Sequence, residues 1–251
     1  MPAAPIEKLN RDQRRVVAQA LHDPPTDLFG PVRRWQFALV LLGERPACRL
    51  VSTRELVSQR GVADLRTRPE EFARGEFIGQ LLRECGLPFS VRFPRSSTGN
   101  GSTLRAAYYI AVTAERFERL PDPVSESPEK RADNWMNRPR AVGQFLGYPA
   151  DAIDAYEANA CSGNGEWTDS IPEPEIDRRV GPLVDQLYDE PPLSNGAILD
   201  AVLPYTPPLP SFGTSDEHLR RAVRYLEAGL RAERHGIRAL RDRLADHQRH
   251  Q

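Results

Sequence analysis

At Pro88 the apolar residues change their spacing. Before it, Phe77, Ile78, Leu81, Leu82 and Cys85 recur at steps of three and four; after it, Phe89, Val91 and Phe93 alternate with Ser90 and Arg92. The first spacing gathers side chains on one helix face and the second turns every other side chain to one face of a strand. The chain must therefore combine helices with strands, and the fold class expected of it is α+β.

The same reading extends along the chain. Leu9, Val16, Val17, Ala20 and Leu21 give an amphipathic helix over residues 6–21, stopped by Asp23-Pro24-Pro25. Trp35 to Leu42 is apolar and β-prone, Gly43-Glu44-Arg45-Pro46 punctuates it, and Ala47 to Val51 resumes, which predicts a first antiparallel β-hairpin. Pro69 with Glu70 and Glu71 suits the first turn of a helix that runs to Cys85, with Gly86 as its left-handed stop. A second hairpin joins Phe89–Phe93 to Ala106–Val112, and Ala114 to Leu120 starts a short helix. The order is αββαββα-like.

Pro121 to Glu129, rich in Pro, Ser and acid, is the expected linker, so 1–121 forms an α+β half with two hairpins and 130–251 a helical half. In the second half Trp135, Val142, Phe145 and Leu146 make one stripe, broken by Gly147-Tyr148-Pro149 before Ile153 and Tyr156 begin another. Ile176–Tyr188 and Asn195–Leu203 read as further helices. After the four prolines of Pro204–Pro210, Thr214 and Glu217 stand in capping-box relation and open a long helix toward Gln251. Its Leu219, Val223, Leu226, Leu230, Ile237, Leu240 and Leu244 follow heptad steps, with Glu233 where an apolar residue is due. That stripe has two readings, docking on the protein's own core or forming a homodimer through the C-terminal helix.

Several function classes find no support. The longest apolar run, Phe37–Leu42, falls far short of the roughly 20 residues a spanning helix needs, and Met1-Pro2-Ala3-Ala4-Pro5 has no signal-peptide pattern, so no membrane partner and a soluble, cytoplasmic protein are expected. Cys48, Cys85 and Cys161 are odd in number and never spaced C-x-x-C, which argues against a disulfide scaffold or a zinc knuckle. Of 34 basic residues only Lys8 and Lys130 are lysines, and the net charge of −1 supplies no global attraction for nucleic acid while leaving room for a local basic patch.

The residues that could carry chemistry form no complete catalytic set. The five histidines make no H-x-x-x-H or H-E-x-x-H, there is no G-x-S-x-G, and no metal site or cofactor is indicated. Asp151, Asp154 and Glu157, at three-residue spacing after the Gly147-Tyr148-Pro149 turn, would share one side of a helix and with Tyr148 make a candidate pocket for a hard cation or acid–base work; equally, they complement a helix dipole. Arg92, Arg95 and Arg105 frame a Ser/Thr/Gly-rich loop that could wrap an anion or simply join two strands. Arginines along the last helix are interleaved with acids, as on a salt-bridged exposed face.

Over Arg138-Pro139-Arg140-Ala141-Val142-Gly143-Gln144-Phe145-Leu146-Gly147-Tyr148-Pro149 and Ala150-Asp151-Ala152-Ile153-Asp154-Ala155-Tyr156, the chain resembles an uncharacterised, mainly archaeal family, domain of unknown function 483. Gly86-Leu87-Pro88 with Tyr108-Tyr109-Ile110-Ala111, and Leu203-Pro204-Tyr205-Thr206-Pro207, are similar to its layout, so the likeness covers about Gln36 to Leu226. Ala150-Asp151-Ala152 stands where the family carries cysteines, and the resemblance implies no known activity. The order of elements is also similar to LAGLIDADG-type homing endonucleases, although Arg83-Glu84-Cys85-Gly86 lacks the acid such enzymes place at the end of their signature helix. The expectation is a noncatalytic binding or regulatory protein of a prokaryotic family. Its alternatives are a metal- or phosphate-dependent enzyme with its pocket at Gly147-Tyr148-Pro149, and a nucleic-acid binder using the sheet and its arginines.

Overall fold

The computed structural model describes residues 4–22, 31–55, 68–93, 103–120, 139–150, 153–154, 172–191, 193–203 and 216–249. A three-stranded antiparallel sheet of order β1-β3-β2 organises the first half, with β1 at Ala47–Glu55, β2 at Phe89–Arg92 and β3 at Thr103–Ala111. In the central strand, Ala106, Tyr108 and Ile110 turn to one apolar cluster while Ala107, Tyr109 and Ala111 turn to another, so β3 is buried on both faces. This is why its sequence reads as an almost continuous apolar run.

The α+β class and the β2–β3 hairpin are as the sequence predicts, but the first hairpin is not. Residues Pro31–Leu41 form a helix, here α3, after α1 (Pro5–Lys8) and α2 (Arg11–His22). Phe37 to Leu41 are without exposed surface, so the helix is enclosed on every side and its sequence shows neither period. Bonds from Glu44 N to Leu39 O and from Gly43 N to Val40 O close its C-terminus. β1 then pairs with β3 in the register Ala47↔Ala111 to Glu55↔Thr103.

Where one helix is expected between Ile6 and Leu21 there are two, because Asn10 and Gln13 build a reciprocal cap, each side chain accepting the other's backbone N–H at 2.9 Å. The stretch from Pro69 to Cys85 is likewise two helices, α4 (Pro69–Gly75) and α5 (Phe77–Glu84), with Glu76 extended between them. They meet backbone to backbone. A Cβ built on Gly79 would lie 1.8 Å from the carbonyl oxygen of Ala73.

The remaining helices are α6 (Pro139–Leu146), α7 (Glu173–Val184), α8 (Asn195–Val202), α9 (Asp216–Arg234) and α10 (Ala239–Arg249), and a 3₁₀ turn spans Ala114–Arg119. The long final helix is interrupted. Gly236 takes φ +79°, a conformation that disfavours any residue with a Cβ, and the bonds Ile237 N to Ala232 O and Gly236 N to Glu233 O reverse the chain. The heptad defect is thus the approach to a turn, where Glu233 accepts two bonds from Arg241 Nε of α10 at 2.8 and 3.0 Å. Leu219, Leu226, Ile237, Leu240 and Leu244 are buried in one cluster with α3 and α8, so the stripe docks on the chain's own core.

Trp35 ties α3 to this layer, its buried Nε1 donating to Val202 O at 2.7 Å. Among the described residues no helix is long and apolar enough to cross a membrane. The expected linker at 121–129, the proline run and Thr214 lie outside the described residues.

Candidate functional site

The turn after α6 is a packing joint. Gly147 lies against Pro46, where a Cβ would approach Pro46 Cγ to 2.4 Å, and Pro149 is buried. The last carbonyls of α6 are capped by arginine: Arg116 donates to Phe145 O and, at 2.8 Å, to Gln144 O, and Arg221 donates to Gly147 O at 3.0 Å. Tyr148 turns inward, with the buried Arg45 guanidinium 5.2 Å from its ring centroid and Arg45 Nε donating to Ala47 O at 2.7 Å. Glu44, beside Arg45 in the turn between α3 and β1, pairs with Arg224 and Arg231 of α9.

The carboxylates predicted to join Tyr148 are not gathered with it. Asp154, 60% exposed, pairs with Arg140 at 2.6 Å on the surface, and Asp151 and Glu157 lie outside the described residues. Among the described residues no group of three or more His, Cys, Asp or Glu is placed to hold a metal. Of the candidate anion-binding arginines, Arg92 is half-buried on β2 with its guanidinium 5.8 Å from the ring centroid of Tyr109. Burial pushes the Tyr109 hydroxyl up to about 12, against the opposing pull of Arg49 and Arg92. The register puts position 105 of β3 on the same face as Arg92, and Arg95 lies outside the described residues.

A different group of residues surrounds open space. Pro69, Glu70, Ala73 and Arg74 of α4, Arg83 of α5, and Phe89, Ser90 and Val91 of β2 line a cleft of about 380 Å³. The close approach of Gly79 to Ala73 sets α4 against α5. The edge-on contact of Phe72 with Phe93, 5.3 Å between centroids, holds α4 to the chain leaving β2. Arg83 bridges both walls: its Nη1 donates to Ala73 O at 3.4 Å, and its guanidinium lies 5.6 Å from the centre of the Phe89 ring. Arg74 is 68% exposed and only loosely paired with Glu70, at 3.9 Å.

Behind Phe89 lies a buried polar layer. The Tyr108 ring is 6.1 Å from that of Phe89, and its buried hydroxyl has no hydrogen-bond partner among the described residues. Burial raises its titration, assisted by Glu76 and opposed by Arg83. Ser52 Oγ donates to Glu76 Oε2 at 3.0 Å. The cleft therefore offers guanidinium groups, an aromatic face and strand backbone, with Glu70 its one carboxylate among the described residues.

Sequence reasoning missed this site although it found its parts. Pro69 and Glu70 read as a helix start and Phe89 and Val91 as a strand, but only the tertiary arrangement brings Arg74 and Arg83 beside them. No family model matches the chain, and neither the curated proteins nor the solved structures searched contain a match.

Proposed function

We propose that this chain is a noncatalytic binding protein whose α4–β2 cleft receives a ligand bearing a carboxylate or similar anion. The observation that carries the reading is that Arg74 and Arg83 line one open space with the aromatic face of Phe89 and the edge of a strand. Guanidinium groups match planar anions in a way that scattered surface charge does not, and concave sites with few polar groups are where small ligands bind. The reading also takes α9 as internal packing, so the partner is another molecule rather than a second copy joined through that helix. Two unpaired buried thiols, Cys48 and Cys85, support a reducing, cytoplasmic setting. The Gly147-Tyr148-Pro149 stretch is the support for grouping the chain with domain of unknown function 483, and here that stretch joins three elements of the fold.

The test is a titration of isotopically labelled protein with succinate, followed by backbone amide resonances. Saturable shifts confined to residues 69–91, weakened at least fivefold by Arg74→Glu, are the expected result. Absence of saturable shifts there at low salt overturns the reading.

A further inference from the structure

We infer that the ligand of the cleft is an extended peptide segment carrying acidic side chains, which adds to the sheet as a fourth strand along β2. The inference rests on the anion-binding reading above and names its occupant. Among the described residues β2 is an edge of the sheet, paired on one side only. Its hydrogen-bonding parity is set by the bond from Ala111 N to Pro88 O, which makes 88↔111 a bonded pair. With the register Phe89↔Ile110 to Arg92↔Ala107, bonded pairs then alternate, so Ser90 and Arg92 direct their N–H and C=O groups to β3. Phe89 and Val91 direct theirs the other way, into the cleft that both residues line.

Among the described residues nothing bonds to those outward groups. Four residues at about 3.3 Å each make an edge about 13 Å long, which is room for three or four residues of a paired strand. The outer groups of Phe89 and Val91 supply two donors and two acceptors at the spacing a strand requires, and main-chain bonds of this kind give a peptide its affinity whatever its sequence. Selectivity comes from the other wall. Arg74 and Arg83 favour acidic side chains on the incoming segment, while Phe89 presents apolar surface to the residues between. A free anion would use the guanidinium groups alone and leave the strand edge unpaired.

The experiment uses the full chain and the pentapeptide acetyl-Val-Glu-Val-Glu-Val-amide, with succinate as the comparison ligand. Amide hydrogen exchange in the wild-type protein is the first readout. Exchange at Phe89 and Val91 should slow at least tenfold when the peptide binds and remain unchanged with succinate, while Ser90 and Arg92 are protected throughout. The second readout is Val91→Pro, which removes an outward N–H without touching the β2–β3 ladder, a substitution edge strands tolerate. It should weaken the peptide at least fivefold more than it weakens succinate.

Succinate binding without peptide binding, or peptide binding that leaves Phe89 and Val91 exchanging as before, overturns strand addition while the anion-binding reading stands. Peptide binding of undiminished strength to Val91→Pro overturns it also. If neither ligand perturbs residues 69–91, both readings fall.

Discussion

Replacing glycine by alanine inside a helix ordinarily stabilises it, because alanine surrenders less backbone freedom; the gain is about 1 kcal/mol in a helix interior. Gly79 and Gly196 are both helical, in α5 and α8, yet the structure assigns them opposite responses. A Cβ at Gly196 meets no described atom within 4 Å, so Gly196→Ala should gain about 0.5 kcal/mol, somewhat less than an interior site because it lies in the first turn. At Gly79 the same atom would lie 1.8 Å from Ala73 O and 2.7 Å from Ala73 C, both rigid backbone. Relief requires α4 to retreat bodily from α5, and overpacking against rigid backbone costs about 3 kcal/mol, the upper end of the usual range, which exceeds the propensity gain of about 1 kcal/mol. The expected net loss is about 2 kcal/mol. For a chain of this size that corresponds to a fall in Tm of about 4–8 °C, against a rise of about 1–2 °C for Gly196→Ala. Thermal unfolding followed by circular dichroism, with urea titration for the free energies, measures both. Because α4 is one wall of the cleft, Gly79→Ala should also weaken succinate binding. A Gly79→Ala protein as stable as the wild type would show that the α4–α5 crossing is not as close as described.

Trp35→Phe removes the bond to Val202 O and leaves that carbonyl buried, at about 1–3 kcal/mol. The smaller ring adds about 1 kcal/mol for a void of about 40 Å³, so urea unfolding should show a loss of about 2–4 kcal/mol, and a loss below 0.5 kcal/mol would contradict the bond. Burial pushes the Cys48 and Cys85 thiols up to about 12 from an ordinary 9. Above pH 9 the unfolded chain therefore releases protons that the folded one retains, so folding stability should fall as pH rises from about 9 toward 12. A urea midpoint that holds constant from pH 8.5 to 11 would contradict this. Native protein at pH 8 should leave both thiols unlabelled by a disulfide reagent that modifies them in denaturant, as peptide mapping would report.

What the sequence made legible was set by how each segment is buried. β2 is half-buried throughout and packs only Phe89 and Val91, with Phe93 beyond them, against the larger apolar cluster, so its alternation is readable. α3 is covered on every side, so selection at Phe37 to Leu41 asks only for apolar bulk, and strand and helix become indistinguishable. The reversal at Gly236 was written in the chain as a glycine and an interrupted heptad, but a single defect is also what a register-setting residue would look like. Only the pairing of Glu233 with Arg241 decides between them. The cleft was the least legible feature, since Arg74 and Arg83 belong to separate helices whose crossing depends on the absence of one methyl group. The motif marks Tyr148 as a candidate pocket residue, and it conveys nothing of the contact the fold gives that ring, which lies under the buried Arg45 guanidinium.

The pairing of α3 with α10 bears on how such a chain is assembled. Arg34 of α3 and Asp242 of α10 form an ion pair at 3.2 Å across 208 positions of sequence. Closing a loop of that length costs chain entropy on the order of 5 kcal/mol. During synthesis α3, which carries the longest apolar run of the sequence, emerges long before the helix that covers it. The nascent protein must hold a sticky helix in waiting, and its final cover arrives with Ala239–Arg249. Loss of those residues should therefore be felt as aggregation of the N-terminal portion rather than as a frayed end.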